Sequence, residues 1–154
     1  AGACISNDDW GFKTQTMLAV PEMKRLVFPW HRRIAATIHA AGKPAILHSC
    51  GNLDLVMDGI IDDLKFDGKH SYEDVIMPVE QAWDRWHGRI GIMGGMDLDY
   101  VCRSTIRQVE ERVEKMIERT NGGTAWGCGS GNSIPTYVPR EQYQAMTRPV
   151  LAYK

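Results

Sequence analysis

His48-Ser49-Cys50 sets an imidazole and a thiol two residues apart. On an extended segment such side chains share one face, so the pair can grip a single metal ion. Cys128, far along the chain, offers a second thiolate. One nitrogen and two sulfurs suit Zn2+, and three protein ligands leave the fourth position open, as catalytic zinc requires. An open zinc can bind a substrate thiol, lower its pKa and hold it as a nucleophile. The bland alternative for each cysteine is a small packed hydrophobe. Asp9, His70, Glu73 and Asp97 are further candidates, as substrate-contacting groups or supports of the ligands. Asp9, Glu73 and Asp97 have a competing reading as helix or loop caps, and His70 as a hydrogen-bonded core histidine. Gly129-Ser130-Gly131-Asn132-Ser133 lacks the Walker lysine and does not match G-x-G-x-x-G, which makes a phosphate loop a poor reading.

These residues need elements to position them, and the chain alternates short strand candidates with helical stretches. Residues 3–6 read as a strand running into Asn7, Asp8 and Asp9. Met23, Leu26, Val27, Trp30, Ile34 and Ile38 then recur at helical spacing; Pro29 predicts a kink or two consecutive helices, and Gly42 a stop. Residues 44–47 form the second strand, ending at His48 and Cys50, followed by a helix with Leu55, Val56, Ile60 and Leu64 on one face. A weak strand at 66–70 ends near Glu73, and Val79, Ala82, Trp83 and Trp86 mark a helix in which both tryptophans are core. Residues 89–93 form the fourth strand, ending at Asp97. Thr105-x-x-Gln108 reads as a capping box for a helix whose apolar face is Ile106, Val109, Val113, Met116 and Ile117, stopped by Gly122 and Gly123. Residues 124–127 are the fifth strand, ending at Cys128, and Pro139 opens a last helix carrying Tyr143, Met146 and Val150.

Strict alternation predicts a parallel α/β sheet, and in such sheets sites form at the carboxyl ends of strands. Every candidate lies at such an end, so neighbouring strands would gather them on one rim. Five βα units in 154 residues are either part of a TIM (β/α)8 barrel, which needs about 250 residues, or an open sheet. The length suits a single domain over 1–154. A formal net charge of −1 gives no pull toward nucleic acid or anionic membrane. Arg32, Arg33, Arg103 and Arg107 read as solvated faces. No apolar run approaches the roughly 20 residues of a membrane helix. The first residues read as an interior segment without a signal peptide. Cysteines at 4, 50, 102 and 128 do not have the spacing of a disulfide scaffold, which implies reduced thiols in a cytoplasmic protein, with Cys4 and Cys102 structural.

DDWG at 8–11, PEMKRLVFPWHRRI at 21–34, KPAILHSCGN at 43–52, DGKHSYE at 67–73, IGIMGGMD at 90–97 and GSGNSIPTYVPREQYQAM at 129–146 resemble the uroporphyrinogen decarboxylase superfamily, in order and over nearly the whole chain. The HSC run with the later GCG is similar to its cobalamin-dependent methyltransferases. The resemblance implies a partial TIM barrel, about five parallel βα units from the C-terminal half. It also implies zinc held by His48, Cys50 and Cys128, with a corrinoid as methyl donor or acceptor. The substrate would be a thiol or a methoxy- or methylamine-type molecule, and a corrinoid protein a candidate partner. The segment that binds the tetrapyrrole in true decarboxylases has no counterpart here, so methyl transfer leads and porphyrinogen decarboxylation follows. A third reading is an inactive half-barrel: two open parallel edges and an apolar inner face predict a homodimer or a companion chain.

Overall fold

The computed structural model describes residues 1–120 and 126–153. Its five strands are β1 (Cys4–Asn7), β2 (Ala45–His48), β3 (Gly68–His70), β4 (Gly91–Met93) and β5 (Trp126–Gly127). They form one sheet in the order β1-β2-β3-β4-β5, every pair parallel. The main helices are α1 (Phe28–Ala40), α2 (Val79–Trp86), α3 (Leu98–Arg103), α4 (Ile106–Thr120) and α5 (Arg140–Ala152). Parallel neighbours demand a crossover between strands, and helical segments supply it: this is the arrangement of a partial TIM barrel.

Strand alternation divides the sheet into two faces. Ala45, Leu47 and Ile92 point to the helices and are fully buried, in a core shared with Phe28, Val56, Ile60, Val79 and Trp83. Ile5, Ile46, His48, His70 and Met93 point the other way and line an open cleft of about 510 Å³. A second cluster packs α4 against α5 through Val109, Val113, Ala145 and Met146. The strand register sets Asn7 beside His48, and His48 beside His70, so one row of side chains runs along the rim.

Several local expectations change. Around Pro29 the helical stretch comes as consecutive segments, as expected, but three rather than two: a short helix at Val20–Glu22, a π turn at Met23–Val27 and then α1. The π turn takes up the register that a residue without an N–H disturbs. The helix expected after β2 is a 3-10 turn at Asp54–Val56 and a π turn at Gly59–Asp63. Val56, Ile60 and Leu64 are buried at spacing four, whereas Leu55, a step of about 100° off that stripe, is 76% exposed. Asp97 starts α3, a helix the apolar periodicity did not signal, by accepting from the N–H groups of Asp99 and Tyr100. In α5 the buried residues are Ala145 and Met146, while Tyr143 and Val150 are exposed. The capping box is present: Thr105 N–H donates to Gln108 Oε1 and Gln108 N–H to Thr105 Oγ1. Gly122, Gly123 and the first half of the strand expected at 124–127 lie outside the described residues.

Candidate metal centre

The loops after β1 and β2 touch through two glycines. A Cβ on Gly51 would fall 2.1 Å from Gly11 C, and Gly51 sits at φ +90°. Only bare backbone permits that crossing. Asn52 N–H donates to Phe12 O across it at 2.7 Å. Beside it, Trp10 Nε1–H donates to Asp8 Oδ2 at 3.0 Å and His31 Nε2 lies 3.0 Å from the same oxygen. Asp8 is thereby anchored against α1, and the next residue, Asp9, turns to the rim, where its Oδ1 accepts the Cys50 N–H at 2.8 Å.

Ligand-type atoms of Asp9, His48 and Cys50 lie within 4.8 Å of one another, the one such group of three among the described residues. Cys50 Sγ is 3.8 Å from His48 Nε2, which is 3.8 Å from Asp9 Oδ1. Oxygen, nitrogen and sulfur converging from two strand ends form a three-ligand set that fits zinc with an open position. Cys128 lies on the wall of the same cleft but outside this group, its Sγ donating to Met146 O at 3.7 Å. Its side chain packs with the α4–α5 cluster, and burial pushes its pKa up to about 11. The structure thus gathers Asp9 where the sequence had suggested Cys128.

The remaining candidates divide. His70 stands against His48, Nδ1 to Nδ1 at 2.6 Å, and burial holds its pKa below the usual histidine value. Glu73 lines a polar cleft of about 780 Å³ next to the rim. Asp97 borders that cleft too, with its carboxylate engaged: Oδ1 caps α3 and Oδ2 accepts the Asp74 N–H at 3.0 Å. Arg112 braces this corner by pairing with Asp74 and Glu80 while lying over the Tyr100 ring.

Three groups escaped the sequence reading. Asn132 Nδ2–H donates to Cys50 Sγ at 3.3 Å, and Ser71 Oγ–H donates to the same sulfur at 3.9 Å. Lys69, fully buried on the helix-facing side of β3, donates to Ser71 O and lies 4.2 Å from the centre of the Tyr72 ring. Burial drives its pKa down to about 7, partly opposed by the negative charges of Cys50, Glu73 and Asp9. Burial also raises the Cys50 pKa; the Ser71 hydrogen bond works against this, and the charges of Asp9 and Glu73 add to it. Without a cation the pocket therefore favours the neutral thiol. A metal ion would reverse that balance. A polar residue at each strand end was the available signal for Asn132, which stands in the Gly-Ser run after β5.

The family model described as Uroporphyrinogen decarboxylase (URO-D) matches residues 1–153. Among solved structures, a methyltransferase from Methanosarcina mazei superposes with a TM-score of 0.73 at 16% identity. The match covers 97% of this chain and 41% of that one, so the chain spans about two fifths of that relative's length. At such identity the likeness shows the fold. No curated protein matches the sequence.

Proposed function

The chain belongs to the uroporphyrinogen decarboxylase family, and from that membership we propose a zinc-dependent methyltransferase. The observation that carries this reading is the gathering of Asp9, His48 and Cys50 on the rim. Zinc bound there would hold a substrate thiol as its thiolate, the nucleophile that accepts a methyl group. His48 and Cys50 supply nitrogen and sulfur, and Asp9 the oxygen. Asn132 and Ser71 aim hydrogens at the Cys50 sulfur and stabilise its anionic form. Asp9, tied to the Cys50 backbone, fixes the spacing between the two loops. The cleft of about 510 Å³ beside His48 is where a substrate and a methyl carrier would approach. A corrinoid, free or carried on a protein, is the methyl donor or acceptor in this reading. Glu73, and Asp97 through the loop it holds, would border the substrate.

We further propose that residues 1–154 act as one domain in the cytoplasm. Among the described residues no helix is long and apolar enough to cross a membrane. Further strands, from a second copy or a companion chain, would pair with the edges at β1 and β5. Family membership also favours a second reading, metal-free decarboxylation of a porphyrinogen, in which Cys50 has no part. Demethylation of methylcobalamin by an added thiol, followed by its visible spectrum, separates the two. Methyl transfer requires turnover that stops on zinc chelation and in Cys50→Ser. Porphyrinogen turnover in chelator, unaffected by Cys50→Ser, would select decarboxylation.

A further inference from the structure

Two polar groups, the Ser130 carbonyl and the His70 ring, stand in line behind the His48 ring of the candidate metal centre. Ser130 O lies 3.0 Å from His70 Nε2, His70 Nδ1 lies 2.6 Å from His48 Nδ1, and His48 Nε2 faces Cys50 Sγ at 3.8 Å. A carbonyl oxygen only accepts, so His70 Nε2 carries its hydrogen. A neutral imidazole carries a single ring hydrogen; with it on Nε2 against the Ser130 carbonyl, His70 Nδ1 is a bare lone pair. Two bare nitrogens cannot face each other at 2.6 Å, so the hydrogen between them belongs to His48 Nδ1. A neutral imidazole with hydrogen on Nδ1 has its lone pair on Nε2.

We propose that His70, oriented by the Ser130 carbonyl, is a positioning residue that fixes His48 in the Nδ1–H tautomer and so presents its Nε2 lone pair to Asp9 and Cys50. The relay is built into the fold. His48 and His70 are register partners on adjacent strands. Gly94 provides the seat for the second ring: a Cβ there would fall 2.5 Å from His70 Cδ2 and 2.4 Å from Ser130 O. The order of the chain β2, β3, β4 and the loop after β5 is thus the order of the relay. Ligating histidines are commonly held this way by a partner on the second ring nitrogen, and loss of that partner costs about 10–100-fold in metal affinity. The consequence for metal rests on the zinc reading above; the tautomer does not.

The test is two-bond 1H–15N spectroscopy of the metal-free chain with 15N-labelled histidine, His48 being assigned by its loss in His48→Gln. Hydrogen on Nδ1 of His48 and on Nε2 of His70 is expected. Hydrogen on Nε2 of His48 would overturn the proposal. In His70→Leu, which offers no acceptor, His48 should move toward the Nε2–H form and zinc, titrated alone, should bind about 10–100-fold more weakly. His70→Asn, whose Oδ1 can accept the same hydrogen, should recover most of that loss. Equal weakening in both variants, with far-UV circular dichroism unchanged, would count against the proposal. Should His70→Leu not fold, the tautomer in the unsubstituted chain still decides. Hydrogen on Nδ1 of His48 in a chain that binds no zinc would support the relay and sink the metal reading.

Discussion

Replacing Gly51 by alanine should separate the two loops that make the site. The new Cβ would meet Gly11 C at 2.1 Å, Gly11 O at 2.2 Å and Gly11 Cα at 2.4 Å, where ordinary contact is 3.4–4 Å. The obstruction is backbone, so no side chain can rotate aside and the loops must part by more than an ångström. Among the hydrogen bonds that cross that boundary are Cys50 N–H to Asp9 Oδ1 and Asn52 N–H to Phe12 O. Their loss costs about 1 kcal/mol each. Holding alanine at positive φ adds about 1–2 kcal/mol. The sum is roughly 3–4 kcal/mol, a large share of the 5–15 kcal/mol typical of a domain. Gly42→Ala is the internal control: Gly42 sits at φ +65° with nothing within 4 Å of its Cβ position. It should lose only the conformational part, about 1–2 kcal/mol. Urea denaturation of both variants measures the difference. A Gly51→Ala loss no greater than that of Gly42→Ala would refute the idea that close backbone approach builds the rim.

Cys128→Ser should retain zinc, because its thiol is committed to Met146 O; loss of zinc by metal analysis would return Cys128 to the ligand set. Arg112→Met should destabilise by about 2–3 kcal/mol in urea, since Asp74 and Glu80 would lose their shared partner in a partly buried corner. Burial pushes the Glu80 pKa up, but the hydrogen bond and charge of Arg112 outweigh it and the net shift is down. Its contribution is therefore present above the usual carboxylate pKa and lost as pH falls through the folded one; Arg112→Met should abolish that acid-side loss. Lys69 gives a slope of the same sign at higher pH. Burial holds it at about 7 when folded, so between pH about 7 and 10 the unfolded chain binds the extra proton and stability rises with pH. Lys69→Met should flatten that rise, and an unchanged slope would show that Lys69 is not its source.

Much of the fold was legible because parallel βα units leave coarse signals. Helical stripes alternated with short apolar runs, and Thr105 and Gln108 marked a helix start that the hydrogen bonds bear out. Finer phase was not legible. Leu55 lies about 100° from the stripe of Val56, Ile60 and Leu64, in a 3-10 turn that opens the segment, and Asp97 was legible as a cap although the helix it starts carries no apolar periodicity. At the site, His48 and Cys50 could be read because two residues on a strand end must face together. The orientation of Cys128 could not: in a Gly-Ser run a thiol can turn to either side, and packing between α4 and α5 decided it. Asn132 was marked only by its place after a strand end. The run containing it does not match a phosphate loop, and its amide reaches Cys50 through tertiary contact alone.

Zinc content beside that of Cys50→Ser tests the central claim most directly. After dialysis against trace zinc, the chain should hold one equivalent of the metal and Cys50→Ser should hold little. Equal zinc in the two proteins, or none in either, would contradict a metal centre built from Asp9, His48 and Cys50.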